Sequence, residues 1–215
     1  MKYRAVVFDL DGTLLDTLTD LGESMNSVLK RMGYRSHELD KYRYFVGDGM
    51  VMLARRSLPE GVSERVVQQC VEEMKKEYGS RWNLKSKPYN KIDEVLNSLK
   101  KRNVKLGVLS NKPEEFTQKV VEYYFDGYFD IALGAGRFAV KPDTEALVHI
   151  LNMLGLRAQE VLYVGDTATD MKTAKGAGLV AVGVSWGFRD EDELYQNGAD
   201  VVIKDPIELL KVLSR

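Results

Sequence analysis

The hydrophobic pattern divides the chain into two unlike parts. Ala5 to Leu10 is apolar except at Asp9, the signature of a strand buried in a parallel sheet, and residues 2–11 are expected to form it. From about Asp20 to Arg31 the period lengthens. Leu21, Met25, Val28, Leu29 and Met32 recur at helical spacing, and Gly33 is placed to end the helix. A polar, tyrosine-rich passage covers 34–44. FVGDGM and the periodic MVMLARRSL follow, then a helix over about 63–78 with Ser63 as a possible N-cap. No long β-branched run falls between Leu18 and Ser86. Ordinary connections are far shorter, so 18–86 reads as an all-helical cap inserted after the first strand.

From Tyr89 onward short apolar runs alternate with helical periods. Helices are expected over 89–102, from Pro113 to about Tyr124, and over 143–154, 168–177 and 206–213. Strands are expected over 104–109, about 130–133, 161–164, 180–184 and 201–203. SWGFRDEDEL, after the strand at 180–184, reads as a loop. Such alternation marks an α/β fold built on a parallel sheet, with right-handed crossovers. The expected domains are a core of 1–17 with 87–215 and a cap of 18–86.

Composition narrows the function classes without selecting one. Of 215 residues, 44% are hydrophobic and 29% charged, ordinary for a globular chain. Lys plus Arg number 31 against 32 Asp plus Glu, a formal net charge of −1. Nothing in that balance points to nucleic acid or an anionic membrane as partner. Cys70 is the single cysteine, so no intrachain disulfide can form. No run of eighteen apolar residues suits a membrane span, and no signal-type apolar segment opens the sequence. Cytoplasm is the expected compartment, with a monomer or homodimer as the expected state. His37 and His149 lack cysteine or histidine neighbours in sequence and are not read as ligands.

Polar residues gather where the strands end. The first strand ends Asp9-Leu10-Asp11-Gly12, the second core strand Ser110-Asn111-Lys112, and the strand at 161–164 runs into Gly165-Asp166-Thr167 with Asp170 beyond. Lys141 sits in a glycine-rich loop before a helix. Parallel strands would bring all of these to one rim, where open α/β sheets bind ligands. Each also has an ordinary use: Asp-Gly as a turn, Ser110 and Thr167 as N-caps, Asp170 as favourable first-turn charge. Carboxylates packed together cost desolvation and repulsion unless a cation or proton compensates. Asp9 and Asp11 alone fit either a hard metal or an acid–base pair. With Asp166 and Asp170 they form an oxygen-only set suited to Mg²⁺. Such a set, with Lys141 and a helix start at Ser110, suits phosphoryl transfer.

DLDGTLLDT at 9–17, SNK at 110–112, Lys141-Pro142 and GDTATD at 165–170 resemble, in order and spacing, the four motifs of the haloacid dehalogenase superfamily. That resemblance implies a Rossmann-like core with helices on both faces and a mobile cap, here of the helical C1 class. VGDG at 46–49, SNKP and GVSWGF at 183–188 resemble the phosphoglycolate phosphatases most. By resemblance, Asp9 is the nucleophile and Asp11 the general acid and base. Ser110 contacts the transferring phosphoryl group, supported by Asn111, and Lys141 neutralises Asp9. Asp9, the Asp11 backbone carbonyl and Asp166 hold Mg²⁺, and Asp170 orients it. The implied substrate is a small phosphorylated metabolite, 2-phosphoglycolate before pyrophosphate, a sugar phosphate or a nucleotide. A catalytically silent binding protein on the same fold is the alternative of another class. Gly47, Asp48 and Gly49 form a cap loop able to reach the rim. Arg55, Arg43 or Arg56 is expected to meet a substrate carboxylate, since guanidinium matches its geometry. The scheme requires Asp166 within about 8 Å of Asp9, because Mg²⁺–oxygen contacts are about 2.1 Å.

Overall fold

The computed structural model describes residues 2–214. Its centre is a six-stranded sheet of β1 (Ala5–Phe8), β4 (Lys105–Pro113), β5 (Ile131–Ala135), β6 (Val161–Gly165), β7 (Val180–Val184) and β8 (Val201–Ile203). The order is β5-β4-β1-β6-β7-β8, and every pairing is parallel. Alternating side chains feed two cores. Val6 and Phe8 of β1 enter one, while Ala5 and Val7 enter the other. Helices α5 (Ile92–Lys101), α6 (Glu114–Phe125), α7 (Glu145–Leu154), α8 (Ala168–Gly176), α9 (Glu191–Gln196) and α10 (Leu209–Val212) complete this half. After β1 the chain builds β4 and β5 on one side, then β6, β7 and β8 on the other. The crevice at that reversal is where such sheets bind ligands.

The helical cap region lies between β1 and β4. It comprises α1 (Leu18–Arg31), α2 (Tyr42–Phe45), α3 (Met50–Ser57) and α4 (Glu64–Gly79). Met25, Val28 and Leu29 of α1 pack with Leu53, Val67, Met74 and Tyr78 in its interior. Cys70 is buried there, its Sγ 3.7 Å from Met25 Sδ.

A two-stranded ribbon, β2 (Leu15–Asp16) with β3 (Lys87–Pro88), ties together the two chain segments entering and leaving the cap. Asp20 reinforces it. Its carboxylate accepts from Lys85 N–H at 2.9 Å, Ser86 N–H at 2.8 Å and Ser86 Oγ at 2.7 Å.

The structure departs from the sequence reading in four places, the first being β1, which covers Ala5–Phe8 and not 2–11. β4 runs on through Ser110, Asn111 and Lys112 to Pro113 instead of ending at Leu109. A register shift against β5 allows it, pairing Leu109 with Leu133 but Pro113 with Ala135. Residues 191–196, read as loop, form α9. Asp190 caps it by accepting from Glu193 N–H at 2.8 Å, and Leu194 is its one buried residue, so no apolar period announces it. The final segment is a 3-10 turn at Pro206–Glu208 followed by α10, not one continuous helix.

Candidate active site

Three buried aspartates meet at the rim. Asp9 follows β1, Asp166 follows β6, and Asp170 lies in the first turn of α8. Asp9, Asp166 and Asp170 each offer an oxygen within 4.8 Å of the others, well inside the 8 Å limit set above. Lys141 is the counter-charge, 2.7 Å from Asp9 Oδ1 and 2.7 Å from Asp170 Oδ1. Three carboxylates against one ammonium leave a formal surplus of 1 − 3 = −2.

The protonation tendencies follow from that imbalance. Burial, together with Asp170 and Asp166, pushes Asp9 well above the usual carboxylate range, against the pull of Lys141. Burial and then Asp170 raise Asp166 to about 7. Burial works against charge on Lys141, yet Asp170 and Asp9 hold its pKa well above the lysine norm. The ammonium therefore stays charged, and the carboxylates carry the strain. An all-oxygen donor set with this surplus fits a hard divalent cation. The residues present thus fit the Mg²⁺ that the motifs imply.

Each carboxylate is also held by its neighbours. Asp166 accepts from Thr13 Oγ1 at 3.0 Å and from Phe188 N–H at 2.8 Å. Asp170 Oδ2 accepts from Thr167 N–H at 3.1 Å and Oγ1 at 2.6 Å. Asp170 and Thr167 thus form a capping box at α8, so Asp170 both caps the helix and faces the site. Asp9 Oδ2 accepts no hydrogen bond among the described residues. Gly12 and Gly187 make the crowding possible, because a Cβ on either would overlap Asp166.

Asp11 stands apart from the trio. The chain turns at Gly12, with φ +91°, and Asp11 bridges to Leu15 instead of extending to share a face with Asp9. Its two oxygens each lie 2.7 Å from Lys112 Nζ. Ser110, Asn111 and Lys112 line the same cavity as Asp9 and Asp11, with Gly47, Gly49, Leu53 and Tyr78 on the cap side. Asn111 is a brace. It donates to Gly47 O at 3.1 Å and Lys141 O at 3.2 Å, and accepts from Lys141 N–H at 2.7 Å. Gly49, with φ +86°, passes close to this strand, since a Cβ there would sit 3.2 Å from Asn111 O.

The cap arginines do not reach the cavity. Arg55 pairs with Glu64 at 2.7 Å on the surface. Arg56 pairs with Asp48 at 2.5 Å, and Asp48 also accepts from Thr169 Oγ1 at 2.5 Å. Asp48 is thereby a cap-to-core tie outside the cavity lining. Arg43 donates to Gly187 O at 2.7 Å and Phe188 O at 3.4 Å. Arg189 answers from the core side, donating to the carbonyls of Arg43 and Val46. Lys112, Tyr78 and Arg189 were given no role by sequence reasoning. SNK placed Lys112 at a strand end, and that was the one available signal.

Residues 6–184 match the family model "Haloacid dehalogenase-like hydrolase". The chain is similar to a phosphoglycolate phosphatase of Aquifex aeolicus, 31% identical over 98% of this chain and 97% of that one. A phosphoglycolate phosphatase of Pseudomonas fluorescens is 31% identical over 96% of this chain and 78% of its own length. Among solved structures, a Lactobacillus delbrueckii subsp. bulgaricus protein, provisionally named a phosphoglycolate phosphatase, superposes with TM-score 0.94 at 30% identity. That match covers 99% of both chains.

Proposed function

The chain belongs to the haloacid dehalogenase-like hydrolase family, and on that footing we propose that it is a Mg²⁺-dependent phosphomonoesterase acting on 2-phosphoglycolate. The observation that carries the reading is the buried surplus of two negative charges beside a cavity lined by Asp9, Asp11 and Ser110. Asp9, Asp166 and the Asp11 backbone carbonyl would hold the cation, with Asp170 behind them. Bound there, Mg²⁺ supplies the positive charge that lets an anionic nucleophile meet an anionic phosphate.

The residues divide the remaining work. Asp9 Oδ2 forms a bond to phosphorus as the bond to the leaving oxygen breaks, and Asp11 gives that oxygen its proton. The product half is an aspartyl-phosphate on Asp9. Asp11, now ionised, takes a proton from water as the water oxygen attacks phosphorus, which releases phosphate and restores the Asp9 carboxylate. Ser110 is placed to donate to the phosphoryl oxygens. Lys141 keeps Asp9 aimed, and Asp170 keeps Lys141 in place. In this reading 18–86 is the cap and 1–17 with 87–215 the core, and the cap excludes bulk water during the reaction.

Two observations support a small substrate. The cavity beside the rim is walled by Leu21, Val46, Met50 and Leu53. Apolar walls this close to the rim suit a two-carbon ester better than a nucleotide. The relatives named above are phosphoglycolate phosphatases over most of their length. The test is a panel of 2-phosphoglycolate, pyrophosphate, a sugar phosphate and a nucleotide, assayed with and without Mg²⁺, on wild type and D9N. Mg²⁺-dependent hydrolysis favouring 2-phosphoglycolate, abolished in folded D9N, is expected. Ordinary turnover by D9N would defeat the nucleophile assignment, and preference for another ester would replace the substrate.

A further inference from the structure

A carboxylate-bearing substrate needs a cation at the end of the cavity away from phosphorus, and the cap arginines are engaged elsewhere. Among the described residues, the cation in the cavity lining is Lys112. It sits at the end of β4, its side chain 2% exposed. Its ammonium carries three N–H donors. Both Asp11 oxygens lie 2.7 Å from it, and the Tyr78 hydroxyl lies beside the same ammonium.

Tyr78 faces Lys112 from the cap. It belongs to α4 and is fully buried, and its hydroxyl, facing the Lys112 ammonium, donates to no acceptor among the described residues. A buried hydroxyl without a partner costs free energy comparable to a lost hydrogen bond, so an unfilled one in a cavity wall points to a ligand. The Lys112 ammonium lies 4.9 Å from the Tyr78 ring centroid. A buried ammonium and an O–H without an acceptor therefore meet in the wall of one small space.

We propose that Lys112 and Tyr78 form the subsite that holds the substrate's carboxylate, a proposal that rests on the phosphoglycolate reading above. The spacing suits a short leaving group. Asp11 serves the leaving oxygen and also touches Lys112, so an anion one methylene beyond that oxygen falls within reach of the same ammonium. The apolar walls, Leu21, Val46, Met50 and Leu53, offer a longer polar tail nothing to bond. Because Tyr78 rides on the cap and Lys112 on the core, a carboxylate gripped by both also joins the two halves. Substrate identity thereby favours cap closure.

The experiment compares 2-phosphoglycolate with ethyl phosphate, which keeps the reacting end and replaces the carboxylate by a methyl group. The quantity read is the ratio of kcat/KM between the two, for wild type, Y78F, K112M and K112R. K112M lowers turnover of both esters, since Asp11 loses its partner, so the ratio and not the rate is decisive. The ratio is expected to fall about tenfold or more in Y78F, mostly through KM, because a hydrogen bond to a charged group is lost. It is expected to fall further in K112M and to recover in part in K112R. A ratio unchanged in Y78F and K112M overturns the subsite while leaving the phosphoglycolate reading intact. A wild-type ratio near one overturns both. Should K112M fail to fold, Y78F alone decides.

Discussion

Lys141 holds Asp9 by a single contact of 2.7 Å, with both side chains almost sealed from solvent. The same nitrogen reaches Asp170, so removing it strips the counter-charge from two buried carboxylates at once. Breaking one partner of a buried ion pair costs about 3–5 kcal/mol. K141M without metal is expected to lose stability on that scale at pH 8, read by urea unfolding, and less at pH 5, where the carboxylates take up protons. A loss below about 1 kcal/mol at pH 8 would mean the pair behaves as an exposed one.

Asp166 gives a pH dependence whose sign can be worked out. Its pKa rises from the ordinary 3.8 to about 7 on folding without metal. The folded state then holds an extra proton between those values, so this group's contribution to stability falls as pH rises through that window. Asp9 shifts in the same direction. A divalent cation must displace that proton. The apparent Mg²⁺ affinity is therefore expected to weaken about tenfold per pH unit below 7. Thermal unfolding with graded MgCl₂ at pH 5.5 and 8 measures it, and a metal-induced rise in Tm equal at both would contradict it.

Asp11 is assigned the proton and Lys112 its anchor. D11N should slow hydrolysis by about 10²–10⁴-fold for alkyl phosphates and far less for an aryl phosphate whose leaving group needs no proton. Steady-state rates on one ester of each kind decide this. Equal slowing of both would reassign Asp11 to positioning.

Asp20 joins the segments that enter and leave the cap. D20A leaves the N–H groups of Lys85 and Ser86 without their acceptor. Such losses cost about 1–3 kcal/mol each where burial is complete. A lower Tm and faster proteolytic cleavage near 85–88 are expected, with an unchanged core cleavage pattern. Wild-type cleavage rates in D20A would show that the β2–β3 ribbon suffices alone.

What was legible in the sequence follows from what local chemistry can encode. Asp9 and Asp166 were readable because each lies at the end of an apolar run, with Asp170 four residues after Asp166, and parallel strands carry such ends to one rim. Every strand pairing of the main sheet is indeed parallel. The arginines were not readable. Arg43 and Arg56 look alike in a helical pattern, yet one reaches Gly187, 144 positions away, and the other a near neighbour, Asp48. Their partners depend on how the cap docks, which no spacing states. Lys112 was hidden for a different reason. A lysine after a strand reads as solvated surface, and only the meeting with Asp11, 101 positions earlier, buries it. The β2–β3 ribbon was too short to show any alternation.

One peptide, Gly187–Phe188, has two clients. Its N–H group at Phe188 steadies Asp166, and its Gly187 carbonyl receives Arg43, as does the Phe188 carbonyl of the next peptide. The seat of Asp166 and the fastening of the lid thus share one short stretch of chain. A substitution that shifts this segment would disturb the carboxylate and the lid's fastening together.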